Sequence, residues 1–172
     1  MSTGGSVSTQ MKLSQSTIER FEREVAKYPE EQRQSAVMAC LSIVQQEQGF
    51  VSAEAESAIA DYLRMPAIAV REVTTFYNMY NQQPVGRFKL NVCTNLPCQL
   101  RDGQTALEHL CHKLQVEEGG TTADGVFTVQ KSECLGACAD APVLLVNDRQ
   151  MVSFMTPERL DDLVATLKAQ AK

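Results

Sequence analysis

Four cysteines in two tight pairs constrain this chain more than any other feature. The first pair is Cys93-Thr-Asn-Leu-Pro-Cys98 and the second Cys134-Leu-Gly-Ala-Cys138, with residues 99–133 between them. Two short cysteine loops joined by a long insertion bring four thiolates from two places in the chain to one point. Four converging thiolates suit zinc or an iron–sulfur cluster.

Spacing ranks the possible chemistries. A dithiol catalyst uses Cys-x-x-Cys ahead of a helix, and neither pair has that spacing. Rieske ligation replaces two cysteines by histidines. The only histidines, His109 and His112, lie on a predicted helix remote in sequence from Cys134, where they read as part of a solvated face. A disulfide framework is disfavoured because the chain carries no recognisable export signal. Structural zinc stays open, since its ligand pairs can be two to four residues apart. Spacing favours a [2Fe–2S] cluster, which takes two thiolates per iron. Cys40 and Cys111 differ in kind: each falls on the apolar stripe of a predicted helix and reads as a small buried hydrophobe.

The remaining composition narrows the function classes. The chain has 172 residues, a net charge of −5 and 44% hydrophobic residues. It is long enough for a proper core without covalent staples. It has no basic stripe, and its aromatic stretches (Phe50; Phe76-Tyr77 and Tyr80) are not interleaved with basic residues. Nucleic acid is therefore not an expected partner. No run approaches the roughly 18 apolar residues of a membrane helix, so direct membrane insertion is not expected. Residues 1–14 are rich in Ser, Thr, Gly and Gln and read as a disordered tail without a targeting signal.

Residues 15–83 read as four amphipathic helices. Ser16 is the expected cap of the first, which bears Ile18, Phe21 and Val25. Tyr28-Pro29-Glu30-Glu31 breaks the chain and restarts it. The second helix carries Val37, Cys40, Leu41 and Val44 and ends at Gly49. Ser52 opens the third and Pro66 the fourth. From residue 84 to 172 the periodicity changes. Phe88, Leu90 and Val92 alternate as a strand running into Cys93. Leu107, Leu110, Cys111 and Leu114 mark a helix, and Val126–Val129 a second strand leading to Cys134. Val143–Val146 and Met151–Phe154 form a hairpin about Asn147-Asp148, and Thr156-Pro157-Glu158 caps a last helix. The fold class is α+β: an N-terminal helical bundle followed by a thioredoxin-like βαββα domain. Both cysteine pairs then follow strand ends, on loops at one edge. No dinucleotide fingerprint, phosphate loop or nucleophile elbow is present, so the chain reads as an electron carrier without a substrate pocket.

Cys-Thr-x-x-Pro-Cys, a helix, then Glu-Cys-Leu-Gly-Ala-Cys and Ala-Pro resemble the small iron–sulfur subunit, the 24 kDa type, of respiratory complex I. Gly49-Phe50-Val51-Ser52, Thr74-Thr75-Phe76-Tyr77-Asn78-Met79 and Met155-Thr156-Pro157 extend the resemblance over residues 17–168. It implies a thioredoxin-like [2Fe–2S] ferredoxin domain in an NADH:quinone oxidoreductase, with Cys93 and Cys98 on one iron and Cys134 and Cys138 on the other. It also implies a larger flavoprotein partner carrying FMN, the NADH site and a [4Fe–4S] cluster, among other peripheral-arm subunits. The expected placement is cytoplasmic, held at the inner face of a bacterial membrane through the complex. Relatives of that family serve NAD-linked hydrogenases and formate dehydrogenases, and this alternative stays open. So do a free-standing ferredoxin shuttle and a zinc-stapled module. Backbone N–H groups of 95–97 and 135–137 are the expected donors to cluster sulfurs, with Gly136 allowing close approach.

Overall fold

In a computed structural model, residues 11–171 are described. The tail expected over 1–14 lies, for residues 1–10, outside the described residues. The chain divides into two units, Met1–Pro84 and Val85–Lys172, each with its own core.

The first unit is helical: α1 Gln15–Val25, a 3₁₀ stretch Glu30–Ala36, α2 Val37–Gln48, α3 Ala53–Leu63 and α4 Ala67–Phe76. Ser14 caps α1 in place of Ser16, accepting from the backbone N–H of Thr17. A serine oxygen three residues upstream reaches the orphan donor, and one residue upstream it does not. Met11 and Leu13 pack against the bundle core ahead of that cap. The restart after Pro29 is 3₁₀ rather than α, because Gln32 leaves helical geometry (φ −111°, ψ 19°) and the ladder resumes at Val37. Gly49 ends α2 in the left-handed region and Ser52 caps α3. Phe21, Cys40, Leu41, Val44, Ile59 and Leu63 are fully buried in the core. Thr17 and Arg20 of α1 both bond Glu47 of α2, tying the two helices together.

The second unit is a four-stranded sheet with helices packed on it. Its strands are β1 Phe88–Cys93, β2 Phe127–Ser132, β3 Leu144–Val146 and β4 Gln150–Val152, in the order β2-β1-β3-β4. β1 and β2 are parallel across α6 Gly103–Leu114, and β3 and β4 are added antiparallel. One face of β1 and β2 (Phe88, Leu90, Val92, Phe127, Val129) packs with Leu107 and Leu110 of α6 and Leu160, Val164 and Leu167 of α7 Pro157–Gln170. The βαββα order and α+β class are those the periodicity implies. The fourth strand stops at Val152, short of Phe154, whose φ of 54° is incompatible with a ladder. A one-turn helix, α5 Leu96–Gln99, replaces the expected loop after β1.

Candidate metal centre

The cysteines sit where strands end. β1 delivers Cys93 as its last residue, fixed by a hydrogen bond from its N–H to the Val143 carbonyl at 3.0 Å. Asn95 accepts from Leu96 N–H and opens α5, whose single turn carries Cys98 back beside Cys93. The Thr94 N–H donates to Ser132 O at 3.1 Å, so the ladder holds the start of this loop against the end of β2. Two residues past β2 comes Cys134, and Cys138 opens a short 3₁₀ turn to Asp140. The Asn95 amide donates to the Glu133 carboxylate at 2.7 Å, a side-chain bridge between the two cysteine loops.

Two of the four cysteines are buried and two are not. Cys93 and Cys98 are 2% and 1% exposed, in a small apolar nest with Ala141 and Val143, flanked by Leu135 and Ala137. Cys134 and Cys138 are exposed, with sulfurs 3.5 Å apart and no disulfide. A tetrahedral metal with bonds of about 2.3 Å to sulfur needs ligand sulfurs roughly 3.8 Å apart, close to what this pair already shows. The thiol of Cys98 bonds that of Cys93, and the two pairs lie near enough to influence one another electrostatically, Cys138 acting on Cys98 and Cys93 on Cys138. Burial pushes the Cys98 thiol up to about 11, against a bond from the Val143 backbone that favours the thiolate. The neighbouring Cys134 thiol, and then burial, raise Cys138.

Among the described residues no three Cys, His, Asp or Glu side chains converge on a single ion position. Two separated pairs are instead what a two-iron centre takes, one pair per metal. The donor set is all thiolate, with nearby backbone donors, and it fits such a group. The Gly136 N–H lies 3.5 Å from the Cys134 sulfur. Leu96 N–H is bonded to Asn95 instead, and Pro97 has no N–H to give. Gly136 is in the left-handed region (φ 81°) with nothing within 4 Å of a Cβ placed there, so its backbone conformation rather than crowding calls for glycine.

Other cysteines and the histidines lie elsewhere. Cys40 is in the helical core, and Cys111 packs against the sheet core. His109 is half-buried and bonds Asp161 of α7 at 2.7 Å, with Lys113 2.9 Å from the same oxygen, so it stitches α6 to α7 rather than only meeting solvent.

Three features of the site do not show in the sequence. Val143 supplies a backbone donor to Cys98 across the sheet, which local spacing cannot show. Asn95–Glu133 pairs residues 38 apart. Gly103 opens α6 so close to the first loop that a Cβ would stand 2.8 Å from Cys98 O and 2.9 Å from Cys93 O. Its one sequence signal is a glycine at the head of an ordinary helical stripe, preceded by Asp102 at positive φ.

A thioredoxin-like sheet with two thiol pairs just past its strand ends defines a class of iron–sulfur electron carriers. Over residues 21–168 the sequence matches the family model for thioredoxin-like [2Fe–2S] ferredoxins, and the chain belongs to that family. It is 40% identical over 149 residues to NADH-quinone oxidoreductase subunit 2 of Thermus thermophilus, spanning 87% of this chain and 82% of the relative. With an NADH-quinone oxidoreductase subunit of Rhizobium meliloti it shares 38% identity over 151 residues, 88% of each chain. By shape it resembles an NAD⁺-reducing [NiFe]-hydrogenase chain in the H₂-reduced state. That match has a TM-score of 0.66 and 23% identity, and it covers 78% of this chain but only 22% of the hydrogenase chain.

Proposed function

We propose that this chain is the [2Fe–2S] electron-transfer subunit of an NADH:quinone oxidoreductase. The observation that carries the reading is the pair of cysteine pairs, one buried and one exposed, both placed just past strand ends of a thioredoxin-like sheet. Cys93 and Cys98 hold one iron, and Cys134 and Cys138 the other. When bound, the cluster accepts and returns single electrons. The chain's own part is to supply four deprotonated sulfurs, to exclude water from the inner pair, and to aim N–H donors at the sulfurs from Gly136 and Val143.

NADH delivers a hydride, so a flavin must convert two-electron to one-electron transfer. A larger flavoprotein subunit with FMN, the NADH site and a [4Fe–4S] cluster is the partner that meets this need. Curated relatives that align over more than four-fifths of their length are named as oxidoreductase subunits, which supports this assembly over a hydrogenase or formate dehydrogenase. Against a lone shuttle stands the helical unit, which leaves Ile68 and Phe76 of α4 66% and 81% exposed. Apolar side chains so exposed suit packing on another subunit. No described helix is long and apolar enough to cross a membrane. In the proposed assembly the chain is held at the cytoplasmic face of the membrane through the complex.

The deciding experiment is the optical and EPR spectrum of anaerobically purified protein, oxidised and after dithionite. A red-brown protein giving an S = 1/2 signal on reduction is the expected result. A colourless protein with stoichiometric zinc overturns it.

A further inference from the structure

Ser132 is the last residue of β2 and stands opposite Cys93 in the parallel β1–β2 register. Side chains at paired positions of neighbouring strands project to the same face, with the strands about 4.8 Å apart. Phe88, Leu90 and Val92 and the partners Phe127 and Val129 point into the core beneath α6 and α7. Cys93 and Ser132, one step out of phase, therefore share the other face. The bond from Thr94 N–H to Ser132 O and that from Cys93 N–H to Val143 O fix both residues relative to one another.

Ser132 is only 7% exposed, and its hydroxyl has no hydrogen-bond partner among the described residues. An unpaired buried hydroxyl is costly, so such groups demand a reason. Other buried polar groups on this face are satisfied. Thr128 Oγ1 accepts from Gly86 N–H and pairs with Thr121, Asn91 donates to Asp148, and Lys89 forms an ion pair with Asp148. The one left over is the one beside a cysteine.

We propose that Ser132 is a hydrogen-bond donor to the cluster site, its Oγ–H directed at the Cys93 sulfur once that sulfur is a metal-bound thiolate. The proposal rests on the assignment of Cys93 as a ligand. A neutral thiol is a weak acceptor, whereas an anionic sulfur offers the hydroxyl the charge-assisted partner it lacks. A serine hydroxyl rotates freely about its side-chain bonds, so it can turn toward a partner on the neighbouring strand. A donor to cluster sulfur favours the more negatively charged, reduced form, so Ser132 holds the reduction potential up. It sits outside both cysteine loops, where spacing of the motif gives no hint of it.

The test uses the full chain loaded with its cluster, as wild type and as Ser132→Ala, Ser132→Thr and Ser132→Val. Three quantities are read: cluster per chain, reduction potential, and the exchangeable-proton coupling lost between H₂O and D₂O in ENDOR spectra of the reduced form. Expected is full cluster content throughout, a lower potential and one missing exchangeable coupling in the Ala and Val variants, and wild-type behaviour in Thr. The Thr–Val pair matches in volume and differs in the hydroxyl, so it decides the matter even where Ala folds poorly. Potentials and couplings equal in Thr and Val overturn the proposal while leaving the ligand assignment standing. A wild-type chain that takes up no [2Fe–2S] cluster overturns the ligand assignment, and this proposal with it.

Discussion

Gly103 shows how tightly single residues define the centre. A methyl group there meets two main-chain carbonyl oxygens, of Cys93 and Cys98, and no flexible side chain that could yield. Either α6 withdraws from the first cysteine loop or the loop opens. Gly103→Ala is expected to cost about 1–3 kcal/mol, as overpacking does, with lower cluster retention. Thermal unfolding together with iron content per chain checks this, and an unchanged melting point with full iron refutes it. The four cysteines stand out in the sequence as two pairs taken together, because glycine-, proline- and asparagine-bearing loops offer no apolar stripe to explain them. Gly103 and Val143 do not, since each acts through a contact made across elements, and the part proposed for Ser132 likewise depends on a neighbouring strand. Ser132 in particular differs from any other strand serine only by its unmet hydrogen bond.

At the scale of elements, the legible features were those written in short range. Strand alternation ending in Cys93, the left-handed Gly49, and the Ser52 and Thr156 caps all depend on residues within four of one another, and the structure has them. The one-turn α5 escaped because four residues hold too little periodicity, and its asparagine cap merges with a cysteine loop. The 3₁₀ start of the second helix escaped for a similar reason, turning on one non-helical residue at Gln32. Within α2, Cys40 carries a measurable consequence. Burial pushes its thiol up from 9.0 to about 12, with Glu24 adding to the rise. The unfolded chain gives up this proton above about pH 9 while the folded chain keeps it, so the folded state binds more protons over that interval. Stability from this group is therefore whole below about pH 9 and drains away as pH climbs toward about 12. Helical-bundle unfolding followed by circular dichroism from about pH 8 to about pH 11 should show that decline. Cys40→Ala should make it shallower, with the burial-raised Tyr62 and Tyr80 phenols of the same core keeping the remainder, while lowering stability at neutral pH through lost packing. A slope equal in both proteins speaks against it.

Across the whole molecule, each unit keeps a core of its own, and the chemistry belongs to one of them. Unit Val85–Lys172 holds all four ligand candidates, while unit Met1–Pro84 contributes helices with apolar side chains left in solvent. Within the second unit the two cysteine pairs are unequal: Cys93 and Cys98 lie behind Ala141 and Val143, and Cys134 and Cys138 face outward. That inequality makes the protein report on its own maturation. In a chain that has not yet received iron, a small alkylating agent meets Cys134 and Cys138 without unfolding anything. On the proposed ligand assignment the same sulfurs are engaged in a filled chain, and Cys40 stays hidden in both. Mass-spectrometric labelling should thus mark Cys134 and Cys138 of the empty protein well before Cys93, Cys98 or Cys40. Uniform labelling of all six would show that the inner nest opens freely. With that order in place, the alkylated fraction of Cys134, measured against Cys40 as a buried reference, becomes a census of unfinished molecules in a living cell.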